Sequence, residues 1–373
     1  MECGSALHHV SDVFFSVKLD LGVRSSEISL KFRSYQRRGI IPFSIKASKC
    51  DFRRSISPLE PHSQAGKFLS TIQQNQPHVL TVAASELLEE LGLDRDGAVA
   101  RKELYLGSSE STLHRRIAEI KEIEFEKAIE EIIYILVVHE FSKLKVPMIP
   151  RLSSSNFTSS KGIKIFEMWP SKDKELESIH SPKMFELVKE HLSKILTTPR
   201  HQEGKCNNQD KMKFSTAQIS KLQLGRLYAS SIMCGYFLVA ASLRHKLENR
   251  IFSQVNEEDH PYAYLASSLS PGLNILMKKP KDLKGYVMGF DCNAFKLCSK
   301  LRSQAVATII EEHSLAIFGD GDMNNLISND GMILVSFSGL RRMMLEAVAF
   351  GTFLWNAEDF VDSIYRLPEY PHY

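Results

Sequence analysis

The side chains with the most chemical potential in this 373-residue chain are charges that interrupt apolar helical stretches. Glu130 and Glu131 immediately precede the run Ile132 to Val138. Glu346 lies within Met343 to Phe350, just after Arg341 and Arg342, and Arg226 and Arg302 belong to two further helical stretches. A carboxylate buried in a helical bundle must be paired or protonated, because an isolated buried charge costs too much. Glu130, Glu131, Arg226, Arg302 and Glu346 therefore make a candidate core charge cluster. An ion-pair network that fixes helix register is the preferred reading. The alternatives are a ligand-binding or catalytic set built on Glu131, Glu346 and Arg302, and simple solvent exposure.

Arg115, Arg116, Arg341 and Arg342 are candidate anion contacts, since paired guanidinium groups can hold phosphate. A doublet among so many acids more often marks a solvated face. Asp320-Gly-Asp322-Met-Asn324-Asn325-Leu-Ile327 imitates the opening of a calcium loop. Asn325 stands where the sharp turn needs glycine, however, and Gly331 where the bidentate Glu belongs. His139-Glu140 opens like a zincin helix, but Lys143 occupies the place of the second histidine. The six cysteines include no Cys-x-x-Cys pair and keep no zinc-finger spacing with histidine. No nucleophile elbow, Walker loop or dinucleotide fingerprint is present. No metal, cofactor or catalytic residue is assigned on these grounds, and the reading leans away from an enzyme.

The elements that must position these groups are helical. Leu113 to Leu144 is the organising stretch, amphipathic in its first half and apolar on every side from Ile132 to Val138. Before it, Ser63 to Gln74 and a segment around Ala83 to Leu91 keep helical spacing. Gly92 reads as the stop of the second, and Leu93 to Ser111 as a polar connection. Ser181 and Pro182 open a helix carrying Phe185, Val188, Leu192 and Ile195. Ser215 to Glu248 is the next long helix. Its centre, Leu227 to Leu243, carries no charge, falls short of the roughly 20 apolar residues of a membrane span and contains Ser and Gly. A buried helix is expected there, with no span. Asp291 caps a helix running to Phe318, and Gly339 to Trp355 forms the last long one, with Glu358 to Tyr365 a final turn or two. Lys164 to Trp169 and Met332 to Phe337 are β-prone and could pair.

The composition, 43% hydrophobic and 24% charged with a net charge of +3, is that of an ordinary globular protein. Much of the positive excess lies between Ile28 and Ser57, so the body carries no basic footprint for nucleic acid. The first 57 residues, rich in Ser, Arg and Lys, read as an addressing leader of plastid type. Glu2, Asp12, Asp20 and Glu27 run against that pattern.

Taken in order, His114-Arg-Arg-Ile-Ala-Glu-Ile-Lys121 with Glu130-Glu-Ile-Ile-Tyr134, and Leu176-Glu-Ser-Ile-His-Ser-Pro182 with Val188-Lys-Glu-His-Leu192, form a pattern. Gly285-Tyr-Val-Met-Gly-Phe-Asp291 and Gly339-Leu-Arg-Arg with Leu345 to Trp355 extend it. The ensemble resembles the plant and cyanobacterial chloroplast family known as domain of unknown function 760. The resemblance implies a plastid-targeted helical protein, linked to light or UV-B stress, with no established reaction to carry over.

The expected fold is mainly α, a multi-helix bundle-like assembly with at most a minor two-strand β element. A transit peptide and disordered leader (1–57) would precede an N-terminal helical part (58–150), a loop with a strand (151–180) and a C-terminal helical part (181–366). A disordered insert (197–212) interrupts the last part, and the two helical parts pack as one unit. The expected function is that of a non-enzymatic stromal protein whose partners are other proteins. A small-molecule binder or enzyme using the core charges, and a nucleic-acid binder using the arginine doublets, are the alternatives.

Overall fold

The computed structural model describes residues 57–152, 157–160, 163–166, 172–197, 216–255, 282–319 and 332–368. The leader, the 197–212 insert beyond Thr197 and the Asp320 to Ser328 loop lie outside the described residues. Helix α1 (Gln64–Asn75) starts where the Ser63 hydroxyl accepts from the Gly66 N–H, and it ends ahead of Pro77. After one 3₁₀ turn at Pro77–Val79 come α2 (Leu80–Leu104) and α3 (Ser111–Lys143), an antiparallel hairpin. Strands β1 (Phe157–Ser160) and β2 (Ile163–Phe166) lead to the short α4 (Asp173–Glu177) and to α5 (Pro182–Thr197). Strand β3 (Thr216–Ser220) runs without a gap into α6 (Lys221–Val255). Then follow α7 (Leu283–Met288), α8 (Cys292–Ser299), α9 (Gln304–Phe318), β4 (Met332–Ser336) and α10 (Phe337–Tyr365).

The mainly helical class stands as the sequence suggests. The β part is wider than two strands: the order is β1-β2-β4-β3, with β2 and β4 parallel and the other two pairs antiparallel. The pairing expected between the two β-prone segments is present, with Ile165 opposite Leu334. The unanticipated strands are Phe-Thr-Ser-Ser and Thr-Ala-Gln-Ile-Ser. Weak propensity hides them, and their state follows from the neighbours they pair with.

Several helix boundaries also differ from expectation: Thr216–Ser220, read as the start of a long helix, forms β3, and the last helix runs unbroken from Phe337 through Trp355 to Tyr365. Helix α2 continues through Gly92 and Gly97 to Leu104. A mid-helix glycine costs only about 1 kcal/mol relative to alanine. The Lys121–Asp94 ion pair and the Arg95 guanidinium, which lies over the Tyr365 ring and donates to the Tyr365 carbonyl, hold the helix in place beyond it. The stretch from Asp291 to Phe318 is broken in two, because Ser303 caps a second helix by accepting from the Val306 N–H.

The core runs from Leu69 to Tyr365 as one continuous cluster, and every residue of Ile132 to Val138 is buried in it. Its centre is the crossing of α6 with α10. There a Cβ on Gly235 would lie 2.0 Å from the Val348 carbonyl oxygen, and one on Gly351 would lie 1.9 Å from that of Ile232. The two backbones touch because neither glycine has a side chain. Lys221–Arg250 is long and apolar enough to cross a membrane by length and composition; 72% of its most apolar window is buried within this fold.

Candidate functional site

A cavity of about 600 Å³ opens between residues 57–62, α1, the middle of α3, Arg151 and the last turns of α9. Glu130 and Glu131 both line it, for different reasons. Glu131 points to the start of α1 and accepts hydrogen bonds from the N–H groups of His62 (2.8 Å) and Ser63 (2.9 Å) and from the Ser63 hydroxyl. A carboxylate there satisfies donors left open at a helix start and suits the positive end of the helix dipole. Glu130 pairs with Lys127 at 3.2 Å, and Lys127 reaches across to Glu312 on α9 at 2.9 Å. Burial pushes the Glu130 carboxyl above its ordinary range, and Lys127 pulls it back.

The cavity is bounded inward by Tyr134, whose hydroxyl lies 3.3 Å from His313 Nδ1. His313 Nε2 is 3.1 Å from the Tyr228 hydroxyl, and its ring stacks on Phe350 with centroids 4.2 Å apart. The imidazole is wholly buried, and desolvation pushes its pKa down to about 3, so it is neutral. A neutral imidazole has one donor and one acceptor, and two hydroxyls satisfy both.

Glu346 lies deeper, with no exposure. Arg342 Nη1 donates to it at 2.9 Å and the Ile149 N–H at 2.8 Å, while Arg342 Nη2 donates to the Pro147 carbonyl. The pair therefore clamps the turn that follows α3 onto α10. Desolvation raises the Glu346 pKa to about 7, against the pull of Arg342 and the Ile149 N–H. Arg302 lies elsewhere, bridging Asp359 (2.9 Å) and Asp362 (2.8 Å) with its guanidinium over the Trp355 ring. Arg226 is exposed on α6. The five charges singled out from sequence thus do not meet in one cluster: two share the cavity, one is clamped in the core, and two lie apart.

The arginine doublets do not share a face either. Arg115 and Arg116 both reach Glu119, at 3.8 and 3.1 Å. Arg341 pairs with Glu177 (2.6 Å) and Asp173 (3.4 Å), whereas its neighbour Arg342 is buried. Among the described residues no group of three His, Cys, Asp or Glu could hold a metal ion.

Sequence reasoning missed Glu358, a wholly buried carboxylate that accepts from the Tyr236 and Ser303 hydroxyls. Its signal was available: Leu354, Glu358, Val361 and Tyr365 recur at helical spacing, which places the acid in a buried stripe. The α2–α3 hairpin was missed as a surface. Leu93, Leu104, Leu113, Ile117 and Ile120 on it are all exposed, although each is of a type that ordinarily lies inside.

The model of the family "Protein of unknown function (DUF760)" matches residues 112–251, from the start of α3 into the end of α6. The chain is 35% identical to the UV-B-induced chloroplastic protein of Arabidopsis thaliana, an alignment covering 86% of this chain and 80% of the relative. The chain belongs to this family of unknown function. No solved structure matches it.

Proposed function

We propose that the protein is a non-enzymatic chloroplast protein of the stroma, linked to light or UV-B stress, that acts by binding other proteins through the α2–α3 hairpin. The observation that carries this reading is a contrast between satisfied and unsatisfied surface. The buried carboxylates Glu131, Glu346 and Glu358 are each closed by donors of the chain itself. Such groups hold segments in register and leave no free oxygen poised for chemistry. The hairpin instead leaves a row of large aliphatic side chains in water, and contiguous exposed apolar surface marks interaction sites. The chloroplast setting is supported by the relative, which is chloroplastic and UV-B-induced. The test is affinity capture from illuminated chloroplasts with the full chain and with a Leu104→Glu, Ile117→Glu variant. Proteins retained by the first and lost with the second support the reading; identical retention by both defeats it.

One observation favours a second reading, that of a small-molecule binder. A 600 Å³ cavity lies within the size range of ligand pockets, and this one combines Ile135, Val138 and Ile309 with the acids Glu60, Glu130 and Glu312. Lys127 already pairs with Glu130 and Glu312, and Arg151 lines the cavity too, so a ligand with an apolar body and a polar, uncharged end suits that lining. Native mass spectrometry of the protein purified from chloroplasts tests it: an adduct lost with Glu130→Gln supports a ligand, and a bare chain removes it.

A further inference from the structure

The hairpin face has a charge pattern as well as an apolar stripe, and the two together identify what covers it. Asp94 with Lys121, and Tyr105 stacked on His114 at 4.0 Å, lie along the seam between α2 and α3, together with the buried Ala98 and Phe125. These contacts fix which way each helix faces. Relative to the seam, helical spacing puts Leu93, Ala100 and Leu104 on one flank of α2. The same spacing in the antiparallel α3 puts Leu113, Ile117 and Ile120 on the same flank of the hairpin. The opposite flank carries Arg95, Val99, Glu122 and Glu126, which border a second cavity, of about 360 Å³, against Ser303–Ala305 and residues Tyr365–Pro368. The apolar flank is thus turned away from the body of the fold. Leu93 is 76% exposed, Leu104 78% and Leu113 59%.

Charge is graded along the same hairpin. Near the tip stand Arg101, Arg115 and Arg116, with Lys102 toward the opposite flank and Glu103, Glu110 and Glu119, the partner of both Arg115 and Arg116, among them. Toward the base stand Glu86, Glu89, Glu90 and Glu124, with Glu122 and Glu126 on the opposite flank. The tip is slightly positive and the base strongly negative. A membrane surface bearing anionic lipid would be repelled by that base, and a tip-to-tip pairing would oppose like charges.

We propose that the occupant is a second copy of this chain, docked in antiparallel fashion so that the two hairpins form a four-helix bundle with each basic tip on the other copy's acidic base. A two-fold arrangement is self-complementary, as a homodimer interface requires. It buries the aliphatic stripe from both sides, in the geometry that bundles of antiparallel helices adopt. The two-fold axis passes near residues 97 and 119. The inference rests on the reading of the hairpin as the interaction surface and deepens it.

The test is sedimentation equilibrium of the full chain across micromolar concentrations, with circular dichroism to check each variant's fold. The wild type is expected to form a dimer. Leu104→Glu with Ile117→Glu is expected to weaken it roughly tenfold or more, because it sets like charges against each other across the interface. Reversing the tip (Arg101→Glu, Arg116→Glu) or the base (Glu86→Lys, Glu90→Lys) is expected to weaken the dimer in the same way. Combining the two reversals is expected to restore it, an outcome that misfolding cannot produce. A wild type that stays monomeric overturns the proposal, as does a dimer indifferent to Leu104→Glu or a combined variant that is not restored. A monomer that still captures chloroplast proteins through Leu104 and Ile117 overturns the second copy and leaves the interaction reading standing. A monomer whose captures ignore those residues defeats both.

Discussion

Glu131 of α3 holds Ser63 by two hydrogen bonds, from its N–H at 2.9 Å and from its hydroxyl, across 68 residues of sequence. The same Ser63 hydroxyl caps α1 by accepting from Gly66, so one carboxylate fixes the entry of the chain into the fold and one wall of the cavity. A Cβ at Gly66 would lie 2.1 Å from Glu131 Oε2, which shows how closely the first turn is drawn onto the acid. Replacing Glu131 with alanine strands two backbone donors. The expected loss is about 1.5–3 kcal/mol, what hydrogen bonds to a charged group ordinarily contribute. Urea unfolding checks it, and an unchanged midpoint would show that the clamp contributes nothing.

The close approach of Gly235 to the Val348 carbonyl and of Gly351 to that of Ile232 makes a sharper prediction. Alanine at either position puts a methyl group within about 2 Å of a carbonyl oxygen on the facing backbone, where no side chain can move aside. The helices must separate along the largest interface of the core. Overpacking costs typically about 1–3 kcal/mol and more where backbone has to shift. Both single variants are expected to lower the thermal midpoint by several degrees. The Ser230→Ala control, on a half-buried position of the same helix, is expected to leave it nearly unchanged.

These two contacts also mark where single-sequence reasoning ends. Local signals were legible: the Ser181-Pro182 start of α5, the all-round apolar run of α3, and the β2–β4 pairing. The first two depend on neighbours in the chain, and the third on two segments that each read as β-prone. Glu131 was legible as a charge that needs a partner. That its partners are the N–H groups at the start of α1 was not, because nothing in the spacing of residues 62 and 131 records their meeting. Gly235 read as one small residue in an apolar helix, and Gly351 as one in another. Their meaning exists only in the crossing. Gly92 misled in the opposite sense, since a modest local preference for a stop was outweighed by contacts beyond it.

Glu346 predicts a pH dependence. Its folded-state pKa is raised to about 7 from an ordinary 4.5, so between those values the folded state binds more protons than the unfolded one. This group's contribution is therefore fully present below about pH 4.5 and is lost as pH rises toward 7 and through it. Measured by unfolding at a series of pH values, the wild type should lose stability relative to Glu346→Gln as pH rises across that window. Parallel pH profiles for the two proteins would sink the argument.

The buried histidines work with the opposite sign, and comparing two of them separates burial from bonding. Desolvation lowers the pKa of His180 and His191 to about 4 and of His313 to about 3, against 6.5 when exposed. Between those values the unfolded chain takes up more protons, so stability present above pH 6.5 drains away as the solution is acidified toward pH 4. Replacing either His180 or His313 with leucine should flatten part of that acid limb. At pH 7 the two variants should diverge. Neither ring nitrogen of His180 has a hydrogen-bond partner among the described residues, so leucine there removes an uncompensated polar group and is expected to be neutral or stabilising. His313 joins Tyr134 to Tyr228; leucine in its place strands the buried Tyr228 hydroxyl, at a cost of about 1–3 kcal/mol, while Tyr134 keeps its contacts with Ser57 and Leu59. Chemical denaturation at the two pH values measures both differences. Equal losses at pH 7 would mean that the tyrosine–histidine–tyrosine relay beside the cavity is only packing.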